Sequence, residues 1–427
     1  MLAMAEFLRM SNPIQHYAWG SRSVLAEMQG RPGPTEQPEA ELWMGAHPSA
    51  PSRVQLAGRQ CGLDEVAPRL PFLLKVLAID APLSLQVHPA SDQAREGFER
   101  EDAAGVAPDA PHRNYKDDRA KPETVVALTD MWLLAGQQER DRLTELAAQL
   151  GLPWLGAAAA APFPVRHALE LPDDVAAAAV RACVAAAGPG HDTAASAQEG
   201  TVSLTPAMDP LERARCLIRL LSHHYPDDRG LLVALCMNVV HLEPGQALFT
   251  PARQLHAYLS GTAVEIMGCS DNVLRAGLTS KHVDVPELLR IMAVPQEPVV
   301  LLETRETADG AVRYPLWDPA LSLTAARVTP ERPVVRESSG TCMVLVTQGA
   351  VTASDHSAGT DDPDTVTPPG AVGAGNPGGA AASSGARRGG TRATAGESLI
   401  RLDGPGTVTV RGEGQIFLVE AVPPGHA

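Results

Sequence analysis

Three short segments, far apart in the chain, constrain its fold more than any other feature: Ser84-Leu85-Gln86-Val87-His88-Pro89, Lys121-Pro122-Glu123, and Pro251-Ala252-Arg253-Gln254-Leu255-His256-Ala257-Tyr258. On a strand, residues two apart face the same way, so Gln86 and His88 point side by side into one cavity. Glu123 and His256 would then complete a four-ligand N/O shell of the kind that suits zinc or a similar divalent ion. Only a β barrel or sandwich brings such distant pieces together. Each fragment alone is bland, because a single His on a strand is more often a hydrogen-bonded residue than a ligand. The combination carries the metal reading.

Lysine usage points to the same places. Of the 35 Lys and Arg residues only four are lysines, Lys75, Lys116, Lys121 and Lys281, and each lies in or beside a segment suspected of chemistry. A chain that otherwise uses arginine keeps lysine where a compact, titratable ammonium is needed and a guanidinium fork does not serve. The competing account, a solvated surface cation, fits Lys116 best.

Composition removes several function classes. At 427 residues, two or three domains are expected, and 44% hydrophobic with 20% charged residues is globular. No apolar run reaches the roughly 18 residues of a transmembrane helix. Met1 to Met10 lacks a basic-then-apolar signal pattern. A net charge of −15 disfavours nucleic acid and anionic membranes as partners. Cys61, Cys183, Cys216, Cys236, Cys269 and Cys342 contain no CxxC pair and fit reduced thiols of a cytoplasmic protein.

Along the chain, residues 11–135 read as short β segments broken by Pro and Gly, such as 72–79 and 83–88, with a surface helix over 91–101. Residues 138–225 change to helical spacing, with helices expected over 140–150, 173–187 and 210–223. The β pattern returns from about 230: 239–243 and 246–250 flank a Pro-Gly turn, and further strands are expected over 299–304, 342–347 and 415–422. Residues 355–397 hold no apolar side chain larger than valine and are expected to form a disordered loop.

As an ordered set, these segments resemble the type I mannose-6-phosphate isomerases. The matches are Asn12 to Gly20, Glu41 to Pro48, Pro71 to Leu77, Ser84 to Pro89, Lys121 to Glu123 and a long stretch from Leu242 to Lys281. The resemblance covers roughly 11–135 and 225–295 and weakens over the helices and the last 130 residues or so. It implies a mainly β fold of two cupin-type β-sandwich (jelly-roll) domains plus a small helical domain. The corresponding division is 1–137 for the N-terminal part of the catalytic cupin domain, 138–228 for the helical insert, 229–295 for the rest of that domain, and 296–427 for a C-terminal cupin-like domain. It also implies one zinc ion per chain on Gln86, His88, Glu123 and His256, and a sugar phosphate as the small-molecule partner. A monomer is expected, with a dimer also compatible.

The implied reaction interconverts D-mannose 6-phosphate and D-fructose 6-phosphate through a cis-enediol(ate). Arg275, Lys121, Glu265 and Asp271 are the catalytic candidates, with Glu265 and Lys121 ranked equally as the proton shuttle. Ser84, Lys75 and Lys281 are the phosphate-binding candidates; Arg275 offers a guanidinium fork for the same purpose. Two alternatives stay open: another cupin sugar-phosphate metalloenzyme, or a non-catalytic sugar-binding cupin. An iron dioxygenase is disfavoured, because Gln86 stands where a third His would be expected.

Overall fold

The computed structural model describes residues 7–188, 203–294, 299–356, 390–402 and 404–422. Its strands form two antiparallel sheets. One contains Ile14–Gln15, Glu41–Gly45, Leu73–Ile79, Leu85–Val87, Glu123–Ala127, Met131–Gln137, Met237–Leu242, Ala247–Thr250, His256–Met267 and Leu274–Gly277. The other is built around two long strands, Thr341–His356 and Gly406–Ala421, paired along their whole length. The fold is mainly β with a helical insert, as expected.

Period-two alternation decides where each strand sends its side chains. In Leu73–Ile79, Leu74, Val76 and Ala78 pack with Val126, Val264 and Ile266 against Met343, Leu345, Phe417 and Val419 of the second sheet. The opposite set, Leu77 and Ile79, joins Val125, Ala127, Leu133, Tyr258 and Ala263 in a separate interior core. Lys75, Glu123, Glu265 and His256 lie on this second set by the same alternation. They are the polar end of an otherwise apolar interior.

The strand His256–Met267 connects the two halves of that interior. Its first residues pair with Leu85–Val87 and Met131–Gln137, and its last residues with Leu73–Ile79 and Glu123–Ala127. A register shift between Tyr258 and Ser260 and a positive φ of 116° at Gly261 bend it. A Cβ at Gly261 would sit 2.7 Å from the Asp130 carbonyl, so glycine is required there. The bend lets one strand deliver both His256 and Glu265 to one cavity.

Helices Arg140–Leu150, Asp173–Ala187 and Pro210–His224 lie where the spacing placed them. Their buried faces pack with Trp132 and Leu134 on the outside of the first sheet. Asp209 caps the last of the three, its carboxylate accepting from the Glu212 N–H.

Several sequence expectations need correction. Residues 230–235 are a buried helix, Gly230–Leu235, rather than the start of the β return; a short apolar run without period fits either element. The 299–304 segment is no strand: it makes one isolated bridge, Leu248↔Leu301, and Val300 is 70% exposed. Strand Leu8–Ser11 pairs with Ser398–Arg401 and Arg53–Leu56, so part of 1–137 lies in the sheet of the C-terminal segment. Burial of Phe7 and Met10 explains that placement. Of the expected 355–397 loop, Asp355 lies in a strand, and Thr391–Thr394 pairs with Ala350 to Ala353 while Ala393 faces the core. Backbone pairing there substitutes for large apolar side chains. Residues 357–389 of that loop lie outside the described residues.

Candidate metal centre and active site

The register brings the scattered segments side by side. Gln86 is opposite His256 on one flank and Arg275 on the other, while Glu123 is opposite Met267 and Thr250. His88 Nε2 lies 3.3 Å from Glu123 Oε1, and His256 Nε2 lies 3.3 Å from Glu123 Oε2. All three side chains are buried, and their ligand atoms fall within 4.8 Å of one another.

Hydrogen bonding fixes which nitrogens face inward. His88 Nδ1–H donates to the Asn272 carbonyl (2.7 Å), and His256 Nδ1–H donates to the Gln254 carbonyl (3.1 Å). A carbonyl only accepts, so in each neutral ring Nε2 carries the lone pair. Two lone pairs and a carboxylate therefore converge with no proton among them, and His88 Nε2 is a buried atom without a hydrogen-bond partner. Such a set repels itself unless a cation sits between. The residues fit a divalent ion with N/O preference, with the Gln86 amide as an adjacent fourth donor.

The charges agree. Burial lowers His88 to about 4, against the pull of Glu123, so the ring is neutral near pH 7. Burial opposes the Glu123 charge, but Lys121 and His88 hold its carboxyl well below the usual range. Lys121 Nζ lies 2.9 Å from Glu123 Oε1.

These shifts have a sign. The unfolded His88 takes a proton near 6.5 and the folded one only near 4, so stability falls as pH drops between them. The depressed Glu123 carboxyl contributes stability above its ordinary 4.5 that is lost further into acid, in the same direction. The midpoint of thermal unfolding of metal-free protein should therefore decline from pH 6.5 toward 4, and His88→Gln should flatten the decline. A midpoint independent of pH over this range would contradict the assignment.

A second buried cluster adjoins the first in one cavity of about 50 Å³, room for an ion and a few waters. Lys75 Nζ lies 3.3 Å from both Glu41 and Glu265, and Tyr258 O–H donates to Glu265 Oε1 (2.9 Å). Trp43 Nε1–H donates to Glu41 Oε2, and Lys75 sits over the Trp43 ring. Burial, then Glu123, raises the Glu265 carboxyl. Burial opposes the Lys75 charge, but Glu41 and Glu265 more than offset it and raise its pKa. Lys75 is thus held between two carboxylates rather than offered to a phosphate, which corrects that expectation.

The remaining candidates do not line that cavity. Arg275 is half-buried, with its pKa lowered by burial, and has no acidic partner among the described residues. Lys281 is exposed and stacks over Tyr17, 5.9 Å from the ring centroid. Ser84 is half-buried beside strand Leu85–Val87. Asp271 lies 3.4 Å from His47 Nε2; burial opposes its ionisation, but His47 holds the carboxyl below the usual range, which suits it poorly to proton shuttling. Lys116 is tied to the carbonyls of Pro108 and Ala110, away from the cluster. Sequence reasoning missed Glu41, Trp43 and Asn272. Glu41 and Trp43 carried a signal, an alternating polar–aromatic pair on a strand, whereas nothing in the sequence singled out Asn272.

Comparison with known proteins gives a consistent picture. A family model described as phosphomannose isomerase type I, catalytic domain, matches residues 7–139. Mannose-6-phosphate isomerase of Escherichia coli (strain K12) is 40% identical over 321 residues, covering 71% of this chain and 79% of that protein. The Homo sapiens mannose-6-phosphate isomerase is 27% identical over 399 residues, covering 83% and 90%. A solved mannose 6-phosphate isomerase with zinc bound is 28% identical with a TM-score of 0.78, covering 98% of this chain and 100% of that one. The Salmonella typhimurium enzyme bound to its substrate, fructose 6-phosphate, and to zinc has the same identity, TM-score and coverage.

Proposed function

The chain belongs to the type I phosphomannose isomerase family, and on that premise we propose that it interconverts D-mannose 6-phosphate and D-fructose 6-phosphate at a zinc ion held by Gln86, His88, Glu123 and His256. One observation carries this reading: two imidazole lone pairs meet a carboxylate, and that carboxylate and His256 line the cavity that also holds Lys75 and Glu265. The relatives' activity and the zinc in the solved relatives support it.

Bound zinc supplies a fixed positive charge where negative charge develops on the substrate's oxygens. The isomerisation passes through a cis-enediol(ate): one proton moves between C2 and C1, one carbon is oxidised as the other is reduced, and no external redox partner is needed. Glu265 takes and returns that proton. Burial raises its carboxyl above the usual carboxylate value, while Tyr258 and Lys75 hold one oxygen each. Lys121 is ranked below it, because its ammonium pairs with Glu123 and orients that ligand. Arg275, opposite Gln86, stabilises the enediolate, and Lys281 with Ser84 receives the phosphate. Leu77 and Leu83 line the cavity and limit water. The six cysteines are free thiols, which supports a reducing cytoplasmic setting.

Arg275→Lys should lower kcat by roughly 100-fold with little change in KM, the signature of a group acting in the transition state. A rise in KM alone would reassign Arg275 to the phosphate. The function itself is tested by a coupled isomerisation assay before chelation, after it, and after zinc is restored. Activity should vanish with chelator and return with zinc. Inactivity with metal bound would redirect the site to another sugar phosphate, and inactivity without metal would leave a non-catalytic sugar-binding cupin.

A further inference from the structure

Asn272 is fully buried, and every polar atom it carries is engaged. Its Oδ1 accepts from the N–H groups of Lys116 (2.7 Å) and Asp117 (3.2 Å). Its Nδ2 donates to the carbonyls of Asp117 (2.7 Å) and Arg119 (2.9 Å), and more weakly to Asp117 Oδ1 (3.3 Å). Its own N–H donates to Ser270 Oγ (3.2 Å), and its carbonyl accepts the His88 Nδ1–H (2.7 Å). The seam continues on either side. Ser270 Oγ donates to the Arg119 carbonyl (3.2 Å), Asp271 N–H donates to Asp117 Oδ2 (2.9 Å), and Gly268 N–H donates to the Pro122 carbonyl (3.1 Å).

The segment 116–120 has no helix or strand of its own, yet it leads straight into Lys121-Pro122-Glu123. A neutral amide with two donor hydrogens and an acceptor oxygen can substitute for a strand partner on such a segment; an aspartate has no donor and an apolar residue has neither. One side chain therefore holds the approach to Glu123, while the same residue's carbonyl fixes the His88 ring. Arg275 follows on the adjoining strand, Leu274–Gly277.

We propose that Asn272 is the positioning residue of the metal centre: it locks the Nδ1-protonated tautomer of His88 and sets the spacing between His88 and Glu123, so that the shell is formed before an ion arrives. Through the same seam it ties the Lys121 segment and the strand of Arg275 to the ligands. The proposal rests on the metal reading above and adds to it a group that touches neither ion nor substrate.

The test uses metal-free full-length protein. Zinc affinity is measured by competition with a chromophoric chelator for wild type, Asn272→Asp and Ser270→Ala, and the protonated nitrogen of His88 is read from imidazole ¹⁵N shifts. Asn272→Asp keeps the acceptor but loses every Nδ2 donation, and should bind zinc about 10–100-fold more weakly, with a mixed His88 tautomer. Ser270→Ala, which removes the links to the Asn272 N–H and the Arg119 carbonyl but leaves the Asn272 side chain in place, should weaken binding less and supplies a milder variant if the Asp form does not fold. Folded variants that are merely less heat-stable, with wild-type zinc affinity and an unchanged tautomer, would overturn the proposal. Wild type that binds no zinc would refute the metal reading instead, and the tautomer comparison would still decide the role of Asn272.

Discussion

Glu123→Gln should retain no zinc after desalting and lose about three orders of magnitude in kcat/KM, because a metal's several kcal/mol of charge stabilisation corresponds to about tenfold per 1.36 kcal/mol. The substitution preserves volume and one acceptor oxygen, so packing is not what changes. It removes the charge on which both Nε2 atoms and Lys121 converge. Two neutral imidazoles and two amides would then face an ion with no anionic ligand. Lys121 would also keep a buried ammonium without its partner, so some loss of stability accompanies the loss of metal. Metal analysis and circular dichroism on the same preparation separate the two effects. A Glu123→Gln protein that keeps one zinc and full turnover would place the ion elsewhere.

Lys75→Met is the second large effect, and it falls first on folding. Lys75 is the only cation within 4.0 Å of Glu41 or Glu265 among the described residues, and all three are buried. Removing it strands two carboxylates in a low-dielectric interior, a class of change that costs about 3–5 kcal/mol. Methionine keeps most of the volume, so the deficit is electrostatic rather than a cavity. The sign with pH follows. The Glu265 carboxyl is already raised by burial, and without the opposing charge of Lys75 it rises further. The variant's deficit is therefore greatest well above the ordinary carboxylate value of 4.5 and shrinks as pH is lowered toward it and Glu265 protonates. Denaturant unfolding at several pH values measures this. A deficit that does not change with pH would mean the triad is not charged as described. Turnover of the folded fraction should fall too, since Glu265 loses the group that holds Oε2.

The candidate ligands were legible because strand alternation and Pro122 fix directions locally. Gln86 and His88 had to share a face, and Lys121 and Glu123 likewise. What periodicity cannot give is register, which depends on pairing between segments more than a hundred residues apart. The pairing of Glu265 with Lys75 is such a case, and it decides that Lys75 serves a carboxylate network rather than a phosphate. Asn272 was hidden for a related reason. Its side chain satisfies backbone groups of a loop some 155 residues earlier, and nothing in Ser270-Asp271-Asn272 distinguishes that from an ordinary turn. The helices were easier, since Arg140–Leu150 and Pro210–His224 bury one face each, and that face is written in their own spacing. The 16-residue strands of the second sheet were read only in part. Gly349, Gly412 and Gly414 fall near their middles, where glycine ordinarily marks a break.

The most direct test of the central claim is a titration of metal-free protein with zinc, following bound metal and isomerisation of mannose 6-phosphate in the same samples. The site described here predicts turnover rising in proportion to bound zinc and levelling at one ion per chain, with His256→Ala giving neither. Full turnover before any zinc is added, or zinc bound at one per chain without turnover, would contradict it.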